Sequence, residues 1–102
     1  MKEEPFGPLV PVLTFKDFDE VVERANNNDL GLCSYLYTNS MDKANRASEM
    51  METGCVAVNT AAVAVAEAPF GGIKQTGYGR EGGSMAIKDY LNIKYTHMGL
   101  KT

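Results

Sequence analysis

The chain has 102 residues, 44% of them apolar and 23% charged, with a formal net charge of -3, the composition of a single soluble domain. A chain this short buries only roughly 60–70% of the surface that it exposes when unfolded, which argues against a complete multidomain enzyme. With 13 acidic against 10 basic residues it has no electrostatic footprint for nucleic acid or an anionic membrane surface.

The longest nearly unbroken apolar stretch, residues 56–68, is interrupted by Asn59, Thr60 and Glu67, well short of the ~20 residues of a spanning helix. The start, Met1-Lys2-Glu3-Glu4-Pro5, is acidic and lacks the apolar core of a secretory signal. A cytoplasmic setting is expected. Cys33 and Cys55 lie 22 positions apart, with no CxxC or Cys/His cluster, so buried free thiols are expected, rather than a metal site or a disulfide.

Residues 9–15 (LVPVLTF) are apolar and β-branched enough for a strand, with Pro11 placing it at an edge or bulge. Asp17 and Glu20 then form a capping-box-like start, and Phe18, Val21, Val22 and Ala25 fall on one helical face that should end at Asn26-Asn27-Asn28-Asp29. A second strand is expected over 32–38 (LCSYLYT). A helix capped by Asn39 or Ser40 follows, reaching Met50 or Met51 with Met41, Ala44, Ala47 and Met51 inward and Gly54 as its stop; residues 55–58 (CVAV) make a third strand. This βαβαβ pattern predicts an α/β fold, a parallel-sheet unit with helices packed on it.

Six of the ten glycines lie between 71 and 83, which predicts a long irregular loop of the kind that carries function. Ser84 should cap a third helix presenting Ile87, Tyr90 and Leu91, and the alternation from Asn92 to Met98 reads as a last strand.

Gly77-Tyr78-Gly79-Arg80-Glu81-Gly82 matches G-x-G-x-x-G, yet the residues before it are polar and no acidic residue stands about 20 positions on, so the dinucleotide fingerprint lacks its context. Tyr78-Gly79 also stand where a phosphate loop needs Lys then Ser or Thr. The single histidine, His97, assembles no nucleophilic triad. Arg80-Glu81 among the glycines suggests a loop clamp, an anion contact or a structural ion pair.

Two segments carry more. Glu3-Glu4-Pro5-Phe6-Gly7-Pro8 and Pro69-Phe70-Gly71-Gly72-Ile73-Lys74-Gln75-Thr76-Gly77-Tyr78-Gly79-Arg80-Glu81-Gly82 closely resemble signature segments of the C-terminal part of aldehyde dehydrogenases. Ala25-Asn26-Asn27, Tyr35-Leu36-Tyr37-Thr38 and Val56-Ala57-Val58-Asn59 stand between them in the family's order. The tail 89–95 (DYLNIKY) looks most like the succinate-semialdehyde branch.

The resemblance implies a portion, residues 1–91, of the catalytic domain of an NAD- or NADP-dependent enzyme that oxidises an aldehyde to its acid. It implies a tail, residues 92–102, whose strand joins a homo-oligomer. Glu4 matches the family's ribose-binding carboxylate, suited to accept from two adjacent hydroxyls, and Phe6 the aromatic that confines the nicotinamide. Phe70 and the preceding residues 62–68 match the loop lining the aldehyde entrance, where an apolar lining keeps water from a reactive thioester. The semialdehyde branch typically has serine for the distal carboxylate where this chain has Ala64 and Val65. The family's nucleophilic cysteine, general-base glutamate and coenzyme domain match no residue here, so the resemblance implies an inactive chain that needs the remainder of the enzyme. The alternatives are a stand-alone nucleotide-binding or assembly module, and a small thiol enzyme using Cys33 or Cys55.

Overall fold

The computed structural model describes residues 3–101. Helix α1 spans Phe18–Asn26, opened by Asp17 in extended conformation with its side chain accepting from the Glu20 amide at 2.8 Å. The Glu20 carboxylate reaches back to the Lys16 amide at 3.0 Å, one residue before the position that a capping box uses. Two short strands follow, β1 (Leu30–Gly31) and β2 (Cys33–Leu36). Helix α2 spans Met41–Met50, capped by the Ser40 hydroxyl, and returns the chain to β3 (Cys55–Val58). Beyond it come β4 (Ile73–Lys74) and a 3-10 turn over Ala86–Tyr90.

β2 and β3 pair in parallel with Cys33 opposite Cys55 and Leu36 opposite Val58, while β1 pairs antiparallel with β4. The predicted βαβαβ unit is thus one βαβ unit, β2–α2–β3, with α1 laid beside it. Ser34, Tyr35, Leu36 and Val56 line a small apolar cavity with Phe18, Val21, Val22, Ala47 and Met51, which places both helices against the strand pair. Arg46 joins the helices, its guanidinium 4.5 Å from the centre of the Phe18 ring and paired with Asp19.

Four expectations are corrected. Residues 9–15 form no strand: Leu9, Val10, Val12, Leu13 and Phe15 are exposed, because a strand needs a hydrogen-bonding partner and no described segment supplies one. The tail from Asn92 is likewise unpaired, Ile93 standing fully in solvent. Ser84 caps no helix; the 3-10 turn begins after Met85, which makes no side-chain cap. Gly54 does not stop α2, whose last turn closes on the Met51 amide. It lies instead against Gly71, where an added Cβ would stand 1.8 Å from the Gly71 carbonyl oxygen.

The core is small: Val22, Ala47 and Ala57 are its buried apolar residues, and no large side chain is fully buried among the described residues. The radius of gyration is 19.1 Å, against about 13 Å for a compact chain of this length. Accessible surface totals 8949 Å², where a compact chain of 11.1 kDa exposes about 5,700 Å². Only about 45% of the unfolded surface is buried, below the share expected from length alone. The excess comes from the two extended ends and from uncovered apolar side chains on the folded centre.

Candidate functional site

Two open grooves flank Leu32 and Thr76, which line both. The first, about 560 Å³, runs along β1 and the start of β2 and includes Glu4, Ala25, Asn28, Leu30 and Thr53. Glu4 reaches it through tight backbone bends in which the Phe6 amide donates to the Glu4 carbonyl at 3.0 Å and the Gly7 amide to Pro5 at 2.8 Å. The Glu4 carboxylate has no hydrogen-bond partner among the described residues and Phe6 is 96% exposed. The carboxylate faces solvent with its acceptor lone pairs open. The glycines at 77, 79 and 82, which take positive φ, are no part of this groove, and their segment opens no α-helix of the kind that receives a phosphate.

The second groove, about 310 Å³, is lined by Phe70, Gly71, Gly72 and the turn carrying Arg80 and Glu81, with Asp89 and Tyr90 opposite. Part of the expected irregular loop is regular. Phe70 and Glu81 exchange backbone hydrogen bonds of 2.7 Å in both directions, which fixes the half-buried Phe70 ring at the mouth. Arg80 is the loop clamp, its Nη1 donating to the carbonyls of Gly72 at 2.8 Å and Gly79 at 2.7 Å. Asp89 Oδ2 accepts from the Arg80 amide at 2.7 Å. The Gly83 amide ties Ala66 at 2.9 Å, so the turn also anchors the segment bearing Ala64 and Val65. Both of these residues face solvent. Glu4 and Phe70 therefore sit on neighbouring grooves, not in one cavity.

Three residues to which local patterning gives no anchoring role hold the unit together. Lys74, at φ 56, donates from Nζ to the Asn26 carbonyl at 2.8 Å and the Asn28 carbonyl at 3.0 Å and pairs with Glu52. Asn26 spans the other way, giving to the Met50 carbonyl and accepting from the Glu52 amide, each at 2.8 Å. Asn59, at φ 57, exchanges two hydrogen bonds with the Thr38 backbone. These contacts bind the C-terminal ends of both helices to β4 and close the top of the βαβ unit. Each joins residues more than 20 positions apart, beyond the reach of local patterning.

Cys33 and Cys55 are free and half-buried, more open than buried core thiols. Cys55 Sγ lies 3.7 Å from the Gly71 carbonyl. Tyr35, on the same face, has its phenol pushed above the ordinary value of 10.0, first by hydrogen bonding to Cys33 and then by the charges of Cys33 and Cys55. His97 lies beside Tyr95, whose hydroxyl is 3.2 Å from Nδ1. No cluster of three metal-ligating side chains occurs among the described residues, and no described helix is long and apolar enough to cross a membrane.

Residues 1–96 match the model of the aldehyde dehydrogenase family. The chain is 54% identical over 97 residues to 3-sulfolactaldehyde dehydrogenase of Pseudomonas putida, covering 95% of this chain and 20% of that protein. It is 46% identical over 99 residues to the NADP-dependent succinate-semialdehyde dehydrogenase of Escherichia coli K12, covering 97% and 20%. Among solved structures, succinate-semialdehyde dehydrogenase from Burkholderia pseudomallei superposes with a TM-score of 0.88 at 45% identity, over 93% of this chain and 20% of that one. An NAD+ complex of aldehyde dehydrogenase from Bacillus cereus gives 0.87 at 43% identity, over 91% and 19%. The chain spans about one fifth of the length of the relatives it matches.

Proposed function

Because this chain belongs to the aldehyde dehydrogenase family, we propose that it is the later part of the catalytic domain of an enzyme that oxidises an aldehyde with NAD+ or NADP+. A match over 95% of the chain to only 20% of a dehydrogenase supports the reading that it is a portion of such an enzyme; its place within the domain rests on the resemblance of the segments at Glu4-Pro5-Phe6 and Pro69-Phe70-Gly71-Gly72. The low buried fraction and the uncovered side chains of Leu9, Val12, Leu13 and Phe15 support it, since isolated domains rarely leave so much apolar surface bare. Residues 1–91 form the domain portion. Residues 92–102 form a tail that pairs with a neighbouring subunit, supported by the unpaired, apolar run at Ile93, Tyr95 and Met98.

The relatives carry names of aldehydes bearing a sulfonate or carboxylate at the far end, and the substrate class proposed here is the same. The side chains of Ala64 and Val65 offer such an anion no hydrogen bond, so its side-chain contacts come from residues of the rest of the enzyme. Phe70 narrows the aldehyde entrance and excludes water. Glu4 holds the nicotinamide ribose by accepting from two hydroxyls, and Phe6 confines the ring. When bound, the coenzyme supplies the hydride acceptor. The chain by itself lacks the nucleophile, general base and coenzyme domain of the family and is inactive.

The test replaces the matching segment of the Escherichia coli relative with this chain. The chimaera is expected to reduce NADP+ in the presence of succinate semialdehyde. Glu4→Gln in that chimaera should raise the KM for NADP+ about tenfold, the loss of one charge-assisted hydrogen bond of ~1.5 kcal/mol. The 102-residue chain alone should be inactive. A folded but inactive chimaera, together with nucleotide binding by the chain alone, would instead establish a stand-alone module.

A further inference from the structure

We propose that Cys33 and Cys55 form a dithiol that closes into an intrachain disulfide on exposure to a small-molecule disulfide. The two cysteines are exact register partners at the start of a parallel strand pair. Neighbouring strands lie about 4.8 Å apart, inside the ~4.4–6.8 Å separation of Cα atoms that a disulfide bridges. Both side chains project from the same face of the pair, because in-register partners on neighbouring parallel strands point the same way. Both are free and half-buried rather than sealed in the core.

The surroundings give the two sulfurs different access. Cys55 lies under the loop, next to the Gly71 carbonyl, whereas Cys33 adjoins Tyr35, which is 52% exposed. Cys33 is therefore the entry point. Its thiolate attacks the disulfide RSSR, forming a protein–SR mixed disulfide and releasing one thiol, RSH. The Cys55 thiolate then attacks the Cys33 sulfur and expels the second RSH. Two protein thiols are oxidised, one RSSR is reduced to two RSH, and the two protons pass to the released thiols. Drawing Cys55 toward Cys33 takes it from the Gly71 carbonyl, so oxidation should loosen the loop that carries Phe70 while pinning β2 to β3 and enclosing α2.

The experiment incubates the full chain with glutathione disulfide, in buffer and in concentrated urea, and follows released glutathione and protein mass. In buffer the expected product is a monomer lighter by two hydrogens, without bound glutathione, with a Cys33–Cys55 cross-linked peptide and full reversal by dithiothreitol. Closure of the mixed disulfide should be at least about tenfold slower in urea, where a flexible segment supplies only a millimolar effective concentration. C55S should stop at the glutathione adduct, whereas C33S, which keeps only the cysteine under the loop, should form its adduct at least about tenfold more slowly. The oxidised chain should have a higher urea midpoint and faster amide exchange at Gly71 and Gly72. Persistent glutathione adducts on the native chain, disulfide-linked dimers, or equal closure rates in buffer and urea would each overturn the proposal.

Discussion

Gly54→Ala tests the packing that holds the glycine-rich segment against the βαβ unit. The added Cβ would stand 1.8 Å from the Gly71 carbonyl oxygen, 2.8 Å from the Gly71 carbonyl carbon and 2.9 Å from Gly72 Cα. A normal contact with oxygen needs more than 3 Å, so the backbones must part by more than an ångström. Gly54 cannot give, because its amide donates to the Gly31 carbonyl at 3.0 Å and the next amide to Leu32 at 3.1 Å. The 71–72 segment must move instead, straining the Arg80 hydrogen bond to the Gly72 carbonyl. Overpacking costs about 1–3 kcal/mol and a lost hydrogen bond about 1 kcal/mol, so a destabilisation of about 3 kcal/mol is expected. In a urea titration with a slope of roughly 1.5 kcal/mol per molar, the midpoint should fall by about 2 M, or the transition should vanish. Gly7→Ala is the control, since nothing lies within 4 Å of its added Cβ. If Gly54→Ala left the midpoint within about 0.3 M of the parent, the close approach of Gly54 and Gly71 would be refuted.

Asp17→Ala should cost about 1 kcal/mol by freeing the Glu20 amide, read as a lower urea midpoint with reduced helical ellipticity. Lys74→Met removes a cation from two carbonyls and Glu52. A loss of about 1–2 kcal/mol is expected by the same titration, with faster amide exchange at the end of α1. Tyr35 has a folded-state pKa above its ordinary 10.0, so the native state holds the phenol proton longer than the unfolded chain. Its contribution to stability is present below pH 10 and lost as pH rises through the higher folded value. The phenolate absorbance difference between the parent and Tyr35→Phe should show a midpoint above 10 that falls in Cys33→Ser.

The local signals in the sequence were legible because their physics is local. Asp17 and Ser40 cap the two helices as their spacing predicted, and Val22 and Ala47 face inward on the predicted stripes. The run at 55–58 is a strand parallel to the one at 33–36, as a helix between two apolar runs requires. The Glu4-Pro5-Phe6 and Pro69-Phe70-Gly71-Gly72 segments identified the family, because a motif is legible however little of its surroundings is present.

What the sequence could not decide is whatever depends on a partner distant in the chain. Residues 9–15 and 92–98 carry strand composition, yet composition only makes a segment fit to pair, and no described segment pairs with either. Gly54 reads as a helix stop until the tertiary structure brings Gly71 against it. Lys74 reads as one more loop cation until β4 places it over the end of α1. The alternation of residues indicates which side chains share a face, but only the register of β2 and β3 sets Cys33 opposite Cys55. Hydrophobic periodicity and capping are encoded within a few residues, whereas register, close approach and coverage are relations between segments and become determinate only when the chain brings those segments together.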